Sequence, residues 1–159
     1  NERLKNNFKN MIFAFSSLIE LRDKSTANHS KNVAELAVRI ARAMGLPGAE
    51  IEAVTIASLL HDIGKIGAPD FLLIKNAEGM DAEELKEYMK HPVRGQAAVD
   101  MVENLRKAGI LIRHHHEWFN GTGFPDKLSA GNIPLGSRII AIADFFEMTI
   151  KIKIDTVRW

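Results

Sequence analysis

The chain reads as a single all-α domain, a helical bundle. Three observations predict it. Apolar residues recur every three or four positions over most of the length. Glycine and proline fall mainly between those stretches. The single stretch with strand periodicity, at the C-terminal end, has no other strand to pair with.

Leu4, Phe8, Met11, Phe15, Leu18 and Leu21 keep helical spacing and predict a first helix. It is expected either to be the first core helix or to connect to an upstream sensor or receiver domain. Residues 1–22 are set apart on that ground from the body, 23–159. The sequence begins at Asn1 without a methionine or a signal peptide, which suggests a fragment or a processed chain.

Val33, Leu36, Ala37, Ile40, Ala41 and Met44 form the next apolar stripe, closed by Gly45 and Pro47. Ala49 to Ile63 is apolar on most faces and predicts a central helix. Asp81 with Glu84 reads as a capping box opening a helix to about Lys90. Pro92 suits the first turn of a helix ending near Gly109. Ile110 to Glu117 predicts a shorter helix. Gly121, Gly123, Pro125, Gly131 and Pro134 make 120–134 a loop. Ser137 to about Thr149 returns to helix, with Ser137 or Gly136 near its cap. Ile150, Ile152 and Ile154 then alternate with Lys151, Lys153 and Asp155, a strand period.

Composition excludes several classes. With 159 residues, 46% of them hydrophobic, the chain can bury a core and is not disordered. It has no cysteine, hence no disulfides and no thiolate ligands. No run approaches the roughly 18 apolar residues of a membrane span. Basic and acidic residues number 21 and 20, a net charge of +1, so no nucleic-acid polymer is expected as partner.

Chemistry concentrates at the histidines. A lone histidine on an apolar face is ordinarily a satisfied core residue; here the joint pattern matters. His29 lies one turn before Val33, on the face of the buried stripe. His61 and Asp62 follow the apolar Ser58-Leu59-Leu60, where an ionised Asp is costly unless paired or bound to a cation. Lys65, one turn after His61, either points into the same space or is an ordinary lysine near a helix C-terminus. His91 directly precedes Pro92. His115 and His116 are consecutive, about 100° apart on a helix; spacing leaves open which two of His114, His115 and His116 face inward. Asp144 is a second carboxylate on an apolar helix, with Arg138 as an alternative partner. Imidazole plus carboxylate without thiolate suits divalent iron, manganese, nickel or zinc. The set exceeds what one ion needs. Two ions sharing Asp62 would use it all, and a two-metal site suits a phosphoester.

The string His61-Asp62-Ile63-Gly64-Lys65, with His115-His116-Glu117 and Gly121-Thr122-Gly123-Phe124-Pro125, resembles the HD-GYP domains of the HD phosphohydrolase superfamily. The likeness covers about Asp23 to Phe146. It implies an all-α bundle of the HD-domain type and a metal-dependent phosphodiesterase that hydrolyses cyclic di-GMP to pGpG or GMP. The implied ligands of one metal are His29, His61, Asp62 and Asp144; Asp62 bridges to a second, held by His91, His115 and His116. The cofactors implied are two divalent ions, iron or manganese, with a bridging hydroxide attacking phosphorus. Lys65 would neutralise the developing phosphate charge, and Gly123, Phe124 and Pro125 would contact substrate. His114 precedes the matching pair and is left out. The resemblance also implies signalling partners at the 118–125 loop, with Trp118, Phe119 and Phe124 as the contact surface, an upstream regulatory domain and a cytoplasmic location.

Departures are specific. Phe124 replaces the motif tyrosine, Asn120 the usual Asp, and Trp118 a common Arg. Ser25 stands where some members carry a Glu for a third metal, hence two ions. Thr149 to Trp159, with Lys151, Lys153 and Arg158 as its cations, replaces an Arg-Pro-Tyr-Arg-like segment that contacts the ligand. The alternatives are a degenerate module that binds a ligand or partner, and an HD-type phosphohydrolase for another nucleotide.

Overall fold

A computed structural model describes residues 2–22, 28–69 and 79–157. Ser25, Arg158 and Trp159 lie outside the described residues. Seven α-helices occur among the described residues: α1 Glu2–Arg22, α2 His29–Ala43, α3 Gly48–Leu60, α4 Ala82–Tyr88, α5 His91–Asp100, α6 Arg106–Arg113 and α7 Leu135–Val157. Short 3-10 turns occupy Ile63–Gly67, Glu103–Leu105 and Ala130–Asn132. No strand occurs among the described residues.

The apolar stripe of α2 becomes a face. Val33, Ala37 and Ala41 are fully buried, and Leu36 and Ile40 pack at its edge. Gly45 ends the helix with a positive φ of 72°, as a glycine just past a helix does. Helix α3 is the centre of the bundle and packs against α1, α2, α6 and α7. Val54, Ala57, Leu59 and Leu60 bury from several of its sides, which is why its sequence lacks a polar face. The capping box of α4 is present: Asp81 accepts from the Glu83 and Glu84 amides, and Glu84 accepts from the Asp81 amide.

Five expectations change. The buried face of α1 is Ile12, Ser16 and Ile19, not the stripe through Met11, Phe15, Leu18 and Leu21, which faces outward. Two apolar stripes share this helix, and periodicity alone cannot choose between them. Gly109 does not end a helix. The helix ends at Asp100, and Gly109 lies inside α6, where a Cβ would collide with the Asp100 side chain. Helix α6 stops at Arg113, so His115 and His116 stand on a turn rather than on a helix. Ser137 is not a cap: it lies within α7 and its Oγ donates to the Leu111 carbonyl at 3.0 Å. Residues 150–157 are helical, a continuation of α7, because no strand among the described residues offers a ladder.

Candidate metal centre

Three of the candidate ligand histidines sit just beyond helix ends. His61 follows the last residue of α3, His91 follows α4 within three residues, and His115 follows α6 by two. The last carbonyls of a helix have no intrahelical donor. These three rings use them: Nδ1 of His61, His91 and His115 donates to the carbonyls of Ser58, Tyr88 and Ile112 at 2.8, 2.8 and 2.6 Å. Each bond sets the tautomer and leaves Nε2 as a lone-pair donor.

The rings converge as two clusters. His29, His61 and Asp144 form one, and His91, His115 and His116 the other; in each, the three donor atoms lie within 4.8 Å of one another. Asp62 stands between them. Its Oδ1 is 3.6 Å from His91 Nε2, and its Oδ2 is 3.6 Å from His61 Nε2. Every metal-ligand residue predicted from the sequence is therefore in one place. His114 is outside it, bonded to the Ile110 carbonyl and to Asp126. Asp144 faces His29, its Oδ1 3.1 Å from Nε2, so Arg138 is not its partner among the described contacts.

The donor set fits divalent ions. His91 Nε2 and His115 Nε2 are buried with no hydrogen-bond partner among the described residues, and the buried Asp144 Oδ1 has only the His29 ring beside it, an arrangement that costs free energy unless something else is bound. Burial, with repulsion from neighbouring imidazoles, pushes His91 and His116 well below the usual histidine range and His115 down to about 4. The three are neutral at physiological pH, the state in which imidazole ligates. Burial also opposes charge on His29, but the carboxylates of Asp144 and Glu147 outweigh it and raise the ring to about 9. Asp62 is buried too. Lys65, His61 and His91 offset that burial and hold the carboxyl well below its usual range.

Lys65 Nζ donates to Asp62 Oδ2 at 2.7 Å and lies 5.5 Å from the Tyr88 ring centroid. Burial works against its charge; Asp62 prevails and keeps the ammonium protonated. Gly64 brings this turn onto α5: a Cβ there would collide with the His91 carbonyl and lie 2.7 Å from the Gly95 amide.

The 117–128 loop closes the three-histidine side. Glu117 is buried and accepts from the Asp126 and Leu128 amides at 2.7 and 3.0 Å. Gly123 is wedged against the His116–Trp118 backbone, with no room for a Cβ. Phe124 stacks on His116, centroids 4.7 Å apart and planes at 25°, and joins Pro125 through a cis bond. Trp118 and Phe119 are 60% and 68% exposed, whereas Phe124 turns inward, so the three aromatics do not share one surface.

Sequence reasoning missed Glu147 and Tyr88. Glu147 Oε2 accepts from His29 Nδ1 at 2.6 Å. Its signal was its place three residues after Asp144, on the same helical face. Tyr88 supplies the carbonyl that holds His91, and its ring lies 4.8 Å from that imidazole; no sequence pattern marks it.

Residues 14–157 match the family described as HD domain. The chain belongs to this family. Among curated relatives, the HD domain is 32% identical over 146 residues to the 3'3'-cGAMP-specific phosphodiesterase 2 of Vibrio cholerae, covering 91% of this chain and 28% of that one. It is 31% identical over 143 residues to the cyclic di-GMP phosphodiesterase response regulator RpfG of Xanthomonas campestris, covering 89% and 38%. The chain thus spans well under half the length of either relative. A solved HDG"Y"P protein from Bdellovibrio bacteriovorus superposes with a TM-score of 0.67 at 24% identity, over 83% of this chain and 47% of that one. The HD domain of L. monocytogenes phosphodiesterase PgpH, solved with cyclic-di-AMP, gives 0.63 at 22%, over 87% and 72%. Both likenesses show the fold, a single all-helical HD domain.

Proposed function

We propose that this HD domain is a metal-dependent phosphodiesterase that hydrolyses a cyclic dinucleotide, cyclic di-GMP foremost, to linear pGpG or GMP. The observation that carries the reading is Asp62, whose two oxygens each face one three-ligand cluster. Two divalent ions, iron or manganese, held by His29, His61 and Asp144 and by His91, His115 and His116 with Asp62 between them, would lower the pKa of a water and clamp the attacking and leaving oxygens. The remaining work falls to the chain. Lys65 is a fixed positive charge beside Asp62 and stabilises phosphate charge as it develops. Gly123, Phe124 and Pro125, packed against His116, contact the substrate.

The names of the two curated relatives support the substrate class, and the first favours 3'3'-cGAMP as a second candidate. Exposed Trp118 and Phe119 support a signalling partner at the loop, and an upstream regulatory domain joined through α1 belongs to the same reading. The test is turnover by metal-reconstituted protein, with products separated by chromatography. Cleavage of cyclic di-GMP, abolished in the His61→Ala/Asp62→Ala variant, supports the proposal. Cleavage of 3'3'-cGAMP alone moves the substrate. A metal-loaded protein that cleaves neither hands the reading to a binding module or to a phosphohydrolase for another nucleotide.

A further inference from the structure

His29 is oriented differently from His61, His91 and His115. It opens α2, so no preceding turn of its own helix offers a carbonyl. Its Nδ1 instead donates to a side chain 118 residues away, Glu147 on α7, at 2.6 Å. Glu147 is held in turn, because Asn32 Nδ2 donates to its Oε1 at 3.2 Å. His29 and Asn32 lie nearly one turn apart on α2, so that helix grips the carboxylate at two points. Asp144 and Glu147 are one turn apart on α7, one facing Nε2 of the ring and the other Nδ1. The imidazole is clamped between them, with 7% of its side chain exposed and 15% of Glu147.

The charges are unequal as well. The His29 cluster has Asp144 as a ligand and Glu147 behind it. The three-histidine cluster has imidazoles only. Asp62 offers one oxygen to each.

We propose that Glu147 is the positioning residue of the His29 cluster: it holds Nε2 turned toward the ion, adds a negative charge behind that ligand, and so makes this cluster load ahead of the three-histidine one. The proposal rests on the two-ion reading given above. A carboxylate behind a ligating histidine orients the ring and raises its basicity, and loss of such a partner weakens metal binding by about 10- to 100-fold. Glu147 does not touch the ion.

The test is calorimetric titration of metal-free protein with Mn²⁺, and with Zn²⁺ for spectroscopy. Wild type is expected to show two classes of site. Glu147→Gln, which keeps an acceptor but no charge, weakens the tighter class about 10-fold, and Glu147→Leu about 100-fold. The weaker class stays in place in both. Nitrogen-detected histidine spectra of the Zn²⁺ form should show His29 protonated at Nδ1 and bound through Nε2, with the Nδ1–H signal displaced in Glu147→Gln. Thermal melting checks folding, and Glu147→Gln, the near-isosteric variant, carries the test if the Leu variant does not fold. An unchanged tight class, equal weakening of both classes, or two equal sites in wild type would overturn the positioning role. Wild type that binds no ion at all would instead bring down the two-ion reading, and that failure is visible without any mutation.

Discussion

The two clusters around Asp62 are assembled over very different distances along the chain. His91, His115 and His116 come from the α5–α6 hairpin, whose two helices pack on each other directly. His29, His61 and Asp144 come from the start of α2, the end of α3 and the middle of α7, so that cluster exists only when the whole bundle is closed. The first is a product of local structure and the second of tertiary structure. Agents that loosen the bundle without melting the hairpin should therefore empty the His29 side first.

The strongest way to break this comparison is to remove what the clusters share. His61→Ala/Asp62→Ala should lose both ions by elemental analysis and cut turnover by at least about 10⁴-fold. Retention of one ion with activity would mean that Asp62 is not common to the two sides. Next come the halves. Asp144→Ala and His116→Ala should each fall from two bound ions to one, and only the combination should reach zero. Gly64→Ala forces a methyl into the His91 backbone and should cost about 1–3 kcal/mol in a denaturant melt.

Glu117→Leu takes the acceptor from the two part-buried amides of Asp126 and Leu128, about 1 kcal/mol for each bond. It should weaken the ion on the His116 side and spare the other. The smallest effect is Asp126→Asn, up to about 1 kcal/mol for a partly exposed pair with Arg113. Arg113 holds Asp126 below its ordinary value of 3.8. The pair's contribution is present above that value and is lost as pH falls through the lower native one. A pH series of melts on wild type and variant checks the sign.

Legibility followed the range of the interaction. The α2 stripe, the Asp81–Glu84 box and the glycine-rich loop were readable because each is decided within a few residues. The candidate ligands were readable as a set that the fold brings together, because so many histidines and acids beside apolar runs need a common reason. Their backing was not readable. The Glu147–His29 bond spans 118 residues; the place of Glu147 three residues after Asp144 marks its helical face but not its partner. The inward face of α1 was misassigned because Ile12 and Ile19 compete with larger apolar residues on the other face, and burial is settled by α3, not by α1. Gly109 read as a terminator because a glycine chosen for close contact looks the same in sequence as one chosen for a positive φ.

The helix-end carbonyls behind His61, His91 and His115 also bear on how such a centre drifts under mutation. A peptide oxygen is present whatever residue occupies Ser58, Tyr88 or Ile112, so replacement of those side chains does not delete the anchor. The anchor of His29 is encoded by a single codon at position 147. Inheritance of the centre's geometry is therefore robust at three of the candidate ligands and exposed at one, and loss of function by gradual decay should begin on the His29 side.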